Sequence, residues 1–317
     1  MSRTSSSAPP PAPGAAPGAP APALAYGLFA LTVLIWGSNW PIMKIGLTMI
    51  PAFWFAFLRV FLGCLALFAV LAAVGSLRLP KRSDLPVILS VGMLQIAAFL
   101  LIINLAVPVV GAGRSAILAY TTPLWVVPGA LLLLGERLRP LKTLGLLAGL
   151  LGVAILFNPM AFDWADTAQL RGNALLMLAS LAWAVAILHV RSRRWQGSPL
   201  ELAPWQLLVA MPPLLAGALF FHPDWRPPAR WDLALLLLHN GVLATGFCYW
   251  AAFTVTRALP AMSTSLGFLG VPVVGVLSSA VIVQEALTLS VIAGLLAILL
   301  GVTLVNLSDL RRNRRRR

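Results

Sequence analysis

From residue 25 onward the chain alternates long apolar runs with short polar breaks. The runs lie near 25–47, 52–75, 86–108, 114–134, 141–158, 172–190, 202–221, 233–256, 262–283 and 289–308. Each matches the roughly 20 residues that a helix rising 1.5 Å per residue needs to cross about 30 Å of hydrocarbon. Within lipid only helices and closed barrels pair their whole backbone. Unalternating runs such as LLAGLLGVAILF (146–157) exclude the barrel. The pattern predicts an all-α integral membrane protein with ten transmembrane helices. Ahead of them, APPPAPGAAPGAPAPA (8–23) contains only Ala, Pro and Gly and has too little apolar surface to order itself. Residues 1–23 are therefore expected to be a disordered tail. They lack the short apolar core after a basic start that marks a cleaved signal, so the first apolar run is expected to be retained.

Composition agrees: 60% of the 317 residues are hydrophobic and 10% charged, too few for the surface of a soluble domain of this length. The net charge of +14 would suggest nucleic acid in a soluble protein, but here the basic residues sit in loops and in the tail RRNRRRR (311–317). Anionic lipid headgroups are the expected partner of that tail, and nucleic acid is not. Seventeen Lys and Arg residues fall on the side of the N-terminus. Five fall on the other (Lys44, Arg114, Arg171, Arg226, Arg230), and Arg59 lies inside a run. The asymmetry predicts two cytoplasmic termini. Cys64 and Cys248 form no disulfide or CxxC framework, and His189, His222 and His239 lack metal-ligand spacing, so no metal or cofactor is expected.

The chain also repeats itself. At an offset of 149, Pro123 falls on Pro272, Glu136 on Glu285, Gly145 on Gly294 and Gly152 on Gly301. At an offset of 147, Trp36 falls on Trp183, Lys44 on Arg191 and Arg59 on Gln206. The pairs come in order, so they indicate a duplicated five-helix unit, 24–159 and 170–309, followed by a basic tail, 310–317. An odd number of crossings makes the second unit enter the membrane from the opposite side. The expected architecture is two inverted repeats with a substrate site near the midplane between them, an arrangement typical of secondary transporters.

On WGSNWPIMKIGL (36–47), FLRVFLG (57–63) and SAILAYTTPLWVVPGALLLLGERL (115–138), with the weaker copies LAWAVAILHVRSR (181–193) and SLGFLGVPVVGVLSSAVIVQEALT (265–288), the sequence resembles the EamA branch of the drug/metabolite transporter superfamily. The resemblance covers about residues 25–308. It implies an alternating-access carrier of small metabolites, often amino acids and related compounds moved outward across the bacterial inner membrane, and it does not fix one substrate.

Several residues are candidates for a cavity, because polar groups within the membrane are costly unless they face protein or water. In the first helix, Pro41 has no N–H for the carbonyl of Gly37, so a kink and an exposed carbonyl are expected beside Ser38 and Asn39. Trp36 and Trp40, four apart, share a face. The competing reading gives Gly37 and Ser38 to helix packing and the tryptophans to the interface belt. Arg59 either docks a substrate carboxylate or is paired or snorkelling. Gln95, Tyr120, Thr121, Trp183, Gln206, Tyr249 and Trp250 complete the cavity candidates, each with interhelical packing as the alternative. Pro123 and Pro272 are expected helix breaks. Glu136 and Glu285, at equivalent helix ends, are expected to be anchoring or gating groups partnered by basic neighbours or loop amides.

All nine acids lie at or beyond the ends of the runs. A proton-coupled exporter of hydrophobic cations, which needs a buried carboxylate, is therefore disfavoured, and a neutral, zwitterionic or anionic cargo is favoured. No nucleophile-base pair or paired carboxylates support an intramembrane enzyme. A phosphorylated-sugar or nucleotide-sugar antiporter and a non-transporting scaffold are the remaining alternatives.

Overall fold

The computed structural model describes residues 22–134, 140–157, 166–193, 195–228, 230–259 and 267–314. Most of the Ala/Pro tail, Glu136 and the last three arginines fall outside these residues. The described chain forms ten helical rods: α1 (Pro22–Gly46), α2 (Ala52–Ala73), α3 (Arg82–Val110), α4 (Ala112–Leu134), α5 (Pro140–Phe157), α6 (Thr167–Ser192), α7 (Pro199–Phe221), α8 (Trp231–Ala258), α9 (Gly270–Ile282) and α10 (Leu289–Arg314). Eight are long and apolar enough to cross a membrane, whereas α5 and α9 are apolar but shorter. Length alone therefore carries eight of the ten expected spans. The stretches just before the two short helices, 135–139 and 260–266, lie outside the described residues.

Local chemistry sets several boundaries. Pro22, Pro140 and Pro199 each open a helix at the position where a missing N–H matters least. Ser198 and Glu201 form a reciprocal cap on α7: the Glu201 amide donates to the Ser198 hydroxyl at 3.2 Å, and the Ser198 amide donates to the Glu201 carboxylate at 2.8 Å. Gly111, at φ +95°, lets the chain leave α3 and enter α4 within one residue. At its other end α10 continues as helix to Arg314, into the basic tail.

The repeat is visible in the packing. α1 lies on α8 and α9, while its counterpart α6 lies on α3 and α4. α2 meets α7 and α8, and α7 meets α2 and α3. The sense of the symmetry is decided where α5 crosses α10. A Cβ on Gly145 would sit 2.7 Å from the Gly301 carbonyl oxygen, and one on Gly152 would sit 2.9 Å from that of Gly294. Repeat-equivalent glycines thus pair crosswise, and the two helices run antiparallel. An axis along the membrane normal would leave equivalent helices parallel, so the relation is an inversion.

Neither α3 nor α8 is α-helical throughout. Val91–Ala98 and Leu238–Phe247 are π-helical, and their first residues are 147 apart, the offset that relates the repeats. Small residues let a neighbouring backbone approach each segment. A Cβ on Gly92 would lie 2.7 Å from the Gln206 carbonyl oxygen, and one on Gly241 would lie 3.2 Å from that of Arg59. Leu132, Leu133, Phe220, Val281 and Leu296 point outward as an apolar surface suited to lipid.

Candidate functional site

α1 and α9 run side by side in the same direction, with Phe29 beside Gly267 and Trp40 beside Gly275. The face on which α1 begins is called the near face and the other the far face. A cavity of about 520 Å³ lies between the repeats, with walls from α1 to α8 and α10. It runs from Met43, Arg59 and Ile103 inside the bundle to Lys142, Arg191 and Asn306 near the helix ends of the near face, where Arg191 is exposed.

Of the expected cavity residues, Trp36, Asn39, Trp40, Arg59, Gln95, Tyr120, Trp183 and Tyr249 line this space, together with Pro123. Trp36 reaches across the repeat boundary: its Nε1–H donates to the Ala244 carbonyl in the π segment of α8 at 2.8 Å. Its ring packs against Phe268 and Tyr249. Trp183, the counterpart on α6, meets Phe99 edge-on at 4.5 Å. Arg59 is 8% exposed and does not snorkel. Its Nε–H donates to the Thr245 hydroxyl at 3.0 Å, and Nη1 lies 3.9 Å from the sulfur of Met43. The Thr245 hydroxyl donates in turn to the Asn240 carbonyl at 2.7 Å, five residues back, which is the spacing of a π-helical turn.

The remaining candidates lie elsewhere. α1 stays one helix through Pro41, and Gly37 packs on Val274 with its carbonyl turned toward Gly275 of α9 rather than toward the cavity. Ser38 donates back to the Leu34 carbonyl at 2.7 Å, which satisfies the hydroxyl within its own helix. Both therefore follow the packing alternative, and the exposed carbonyl expected at Gly37 is not found. Thr121 is buried, donating to the Leu118 carbonyl at 2.6 Å with Ser180 beside it at 3.0 Å. Gln206 is buried on α7, Pro272 on α9, and Trp250 stacks obliquely on Phe247.

At Pro123 the break is real. α4 stops at Ala119 and resumes at Thr122. Pro123 cannot donate to the Ala119 carbonyl, and the Thr122 hydroxyl takes that role at 3.1 Å. This places Tyr120 and Thr122 on the cavity wall. Lys142, Arg191, Thr245 and Phe268 also line it and were not expected there. The sequence places the two basic residues among loop charges. Thr245 and Phe268 carry no mark in a permissive apolar background.

On the far face a charged contact bridges the two repeats. Gln284, at φ +53°, turns the chain after α9 so that Glu285 folds back onto the start of α4. The carboxylate accepts the amides of Ala112 and Gly113 at 2.7 and 2.9 Å and pairs with the Lys44 ammonium at 2.6 Å. Burial alone would raise the Glu285 carboxyl. The Lys44 ammonium and the two amides outweigh it and hold the group below its ordinary value. Adjacent residues of α1 thus face two compartments, Met43 the central cavity and Lys44 a separate polar cleft on the far face. Among the described residues no group of three His, Cys, Asp or Glu side chains is arranged to hold a metal ion.

Comparison with known proteins agrees with this architecture. The model of the EamA-like transporter family matches residues 23–158 and again 170–307. A Bacillus subtilis protein named "Uncharacterized transporter YoaV" is 28% identical, over 87% of this chain and 94% of its own. A "Probable terminal-alkyne amino-acid exporter" of Streptantibioticus cattleyicolor is 27% identical, over 90% and 94%. One solved crystal structure superposes with a TM-score of 0.63 at 21% identity, covering 92% of this chain and 99% of that one, which shows a shared fold. With two copies of the family's pattern filling nearly all of its apolar length, this multi-pass membrane protein belongs to the EamA-like transporter family, within the drug/metabolite transporter superfamily.

Proposed function

We propose that the chain is a secondary carrier that moves small amino-acid-like or organic-acid metabolites outward by alternating access. In this reading all ten rods span the cytoplasmic membrane, and the near face with both termini is cytoplasmic. The structure is then the inward-open state. One observation carries the proposal: a polar and aromatic cavity between inverted repeats reaches one face and is sealed from the other by a charged contact that joins the repeats. Exchange of the two repeat conformations would open the far face and close the near one. Naming of one relative as an amino-acid exporter supports the cargo class.

A phosphorylated-sugar antiporter is the second reading, and Lys142 and Arg191 on the cavity wall speak for it. Both sit near helix ends and are engaged by other groups. The deep part of the cavity keeps a single guanidinium, which suits one negative charge better than a phosphate dianion. The test is flux of a labelled panel of amino acids, organic acids and sugar phosphates into liposomes holding the purified protein. Amino or organic acids are expected to cross, and Trp40→Ala to slow them. Flux of none of these compounds overturns the carrier reading, and flux of sugar phosphates alone overturns the cargo class.

A further inference from the structure

We propose that the cavity selects one organic carboxylate on an apolar body, carried as the anion, over both zwitterionic amino acids and amines. This rests on the carrier reading above and names its cargo more narrowly. The argument begins at Arg59. A guanidinium keeps its charge when buried and has five N–H donors. Here one is used by the Thr245 hydroxyl and a second faces only the Met43 sulfur, a weak acceptor. Thr245 spends its own hydrogen on the Asn240 carbonyl, so its oxygen lone pairs face Arg59 and fix the fork. No carboxylate among the described residues pairs with Arg59. The three N–H groups left over can take both oxygens of an incoming carboxylate.

Among the described residues nothing comparable awaits an ammonium. Asp84, Asp166, Glu201, Asp232 and Glu285 are committed to backbone amides or to Arg230 and Lys44, and all nine acids of the sequence lie at or beyond the ends of the apolar runs. The side-chain oxygen of Asn39, buried in the wall without a partner, is a neutral acceptor and not a counter-charge. An α-ammonium next to a carboxylate docked on Arg59 sits in the field of the same guanidinium. At short range in a site of low effective dielectric, that repulsion exceeds a contact with the face of Trp36 or Trp40. Those tryptophans, with Phe99, Trp183 and Phe268, instead offer apolar area for the body of the cargo. The volume of about 520 Å³ holds a body of phenyl or indole size.

The test uses the full chain in liposomes, with protein-free liposomes as the leak control, and four cargoes that share a benzyl body. These are phenylpyruvate, N-acetylphenylalanine, phenylalanine and phenylalaninamide. The two anions are expected to cross at least about tenfold faster than phenylalanine, and the amide not at all, a factor equal to about 1.4 kcal/mol. Arg59→Lys is expected to keep this order with slower flux, and Arg59→Gln to abolish it. Should either variant fail to fold, the wild-type comparison decides alone. Phenylalanine crossing as fast as phenylpyruvate overturns this inference and leaves the carrier intact. No flux of any of the four overturns both the inference and, with the broader panel, the carrier.

Discussion

At equivalent places in the two repeats α2 carries Arg59 and α7 carries Gln206, and both side chains are buried, yet only Arg59 lines the cavity. The backbones around them match. Each presents its carbonyl to a glycine of a π segment in the other repeat, Arg59 to Gly241 and Gln206 to Gly92. The symmetry therefore resides in the scaffold, where two interchangeable halves are needed if either face is to open. The side chains are asymmetric: a guanidinium faces the cavity in the first repeat, and a neutral amide packs away from it in the second. The two faces differ in the same way. Lys44 holds Glu285 on the far face, while its repeat counterpart Arg191 sits at the rim of the cavity on the near one.

The largest effect should come from breaking what the repeats share. In Gly301→Leu the new Cβ alone would meet the Gly145 carbonyl at 2.6 Å, which is backbone and cannot swing away. Loss of folded protein on size-exclusion chromatography in detergent is expected, beyond the roughly 1–3 kcal/mol typical of overpacking. Opening the far face by chemistry comes next. Glu285→Gln should raise the rate at which an impermeant thiol reagent, added from the far side, labels a cysteine placed at Met43, by about tenfold, equivalent to 1.4 kcal/mol of gate closure. The pH profile sharpens this. The Glu285 pKa is lowered in the folded protein, so its contribution is complete above the ordinary carboxylate value and fades as pH falls through the lowered one. Divided by the labelling of a freely exposed control cysteine, which removes the loss of thiolate as pH falls, the rate should stay flat through the neutral range and rise only below the ordinary carboxylate value.

A smaller loss is expected from Trp36→Phe, which keeps the ring contacts but removes the hydrogen bond to Ala244 across the repeat boundary. About 1–3 kcal/mol of stability should go, read as a lowered thermal midpoint, because a buried carbonyl loses a partner. The comparison of Arg59 with Gln206 predicts little change for Gln206→Met, less than about twofold in flux, since this swap leaves the cavity wall alone. Flux falling as far as in Arg59→Met would mean that both repeats contribute to recognition. Ser38→Ala should do least, within about 0.5 kcal/mol, because its hydroxyl bonds only within its own helix.

Much of the architecture is legible in the sequence, because lipid leaves the backbone few choices. Apolar runs of about 20 residues must become helices, and an odd number per repeat must invert the second copy. The paired glycines found at an offset of 149 are those that pack crosswise in space. Pro123 announces its break by removing a donor, a property of the residue itself. Pro41 does so less well, since a proline late in a helix can be absorbed when the freed carbonyl is covered by a neighbour, here α9. What the sequence alone determines is thus the class of the fold, its duplication, and the scarcity of charge within it. Which side chains face the cavity was left to tertiary structure, as was the place where Lys142 and Arg191 end up. So was the contact of Glu285 with Lys44 and the start of α4. A one-dimensional run of apolar residues does not record the rotation of each helix about its axis, and only packing against the other repeat sets that rotation.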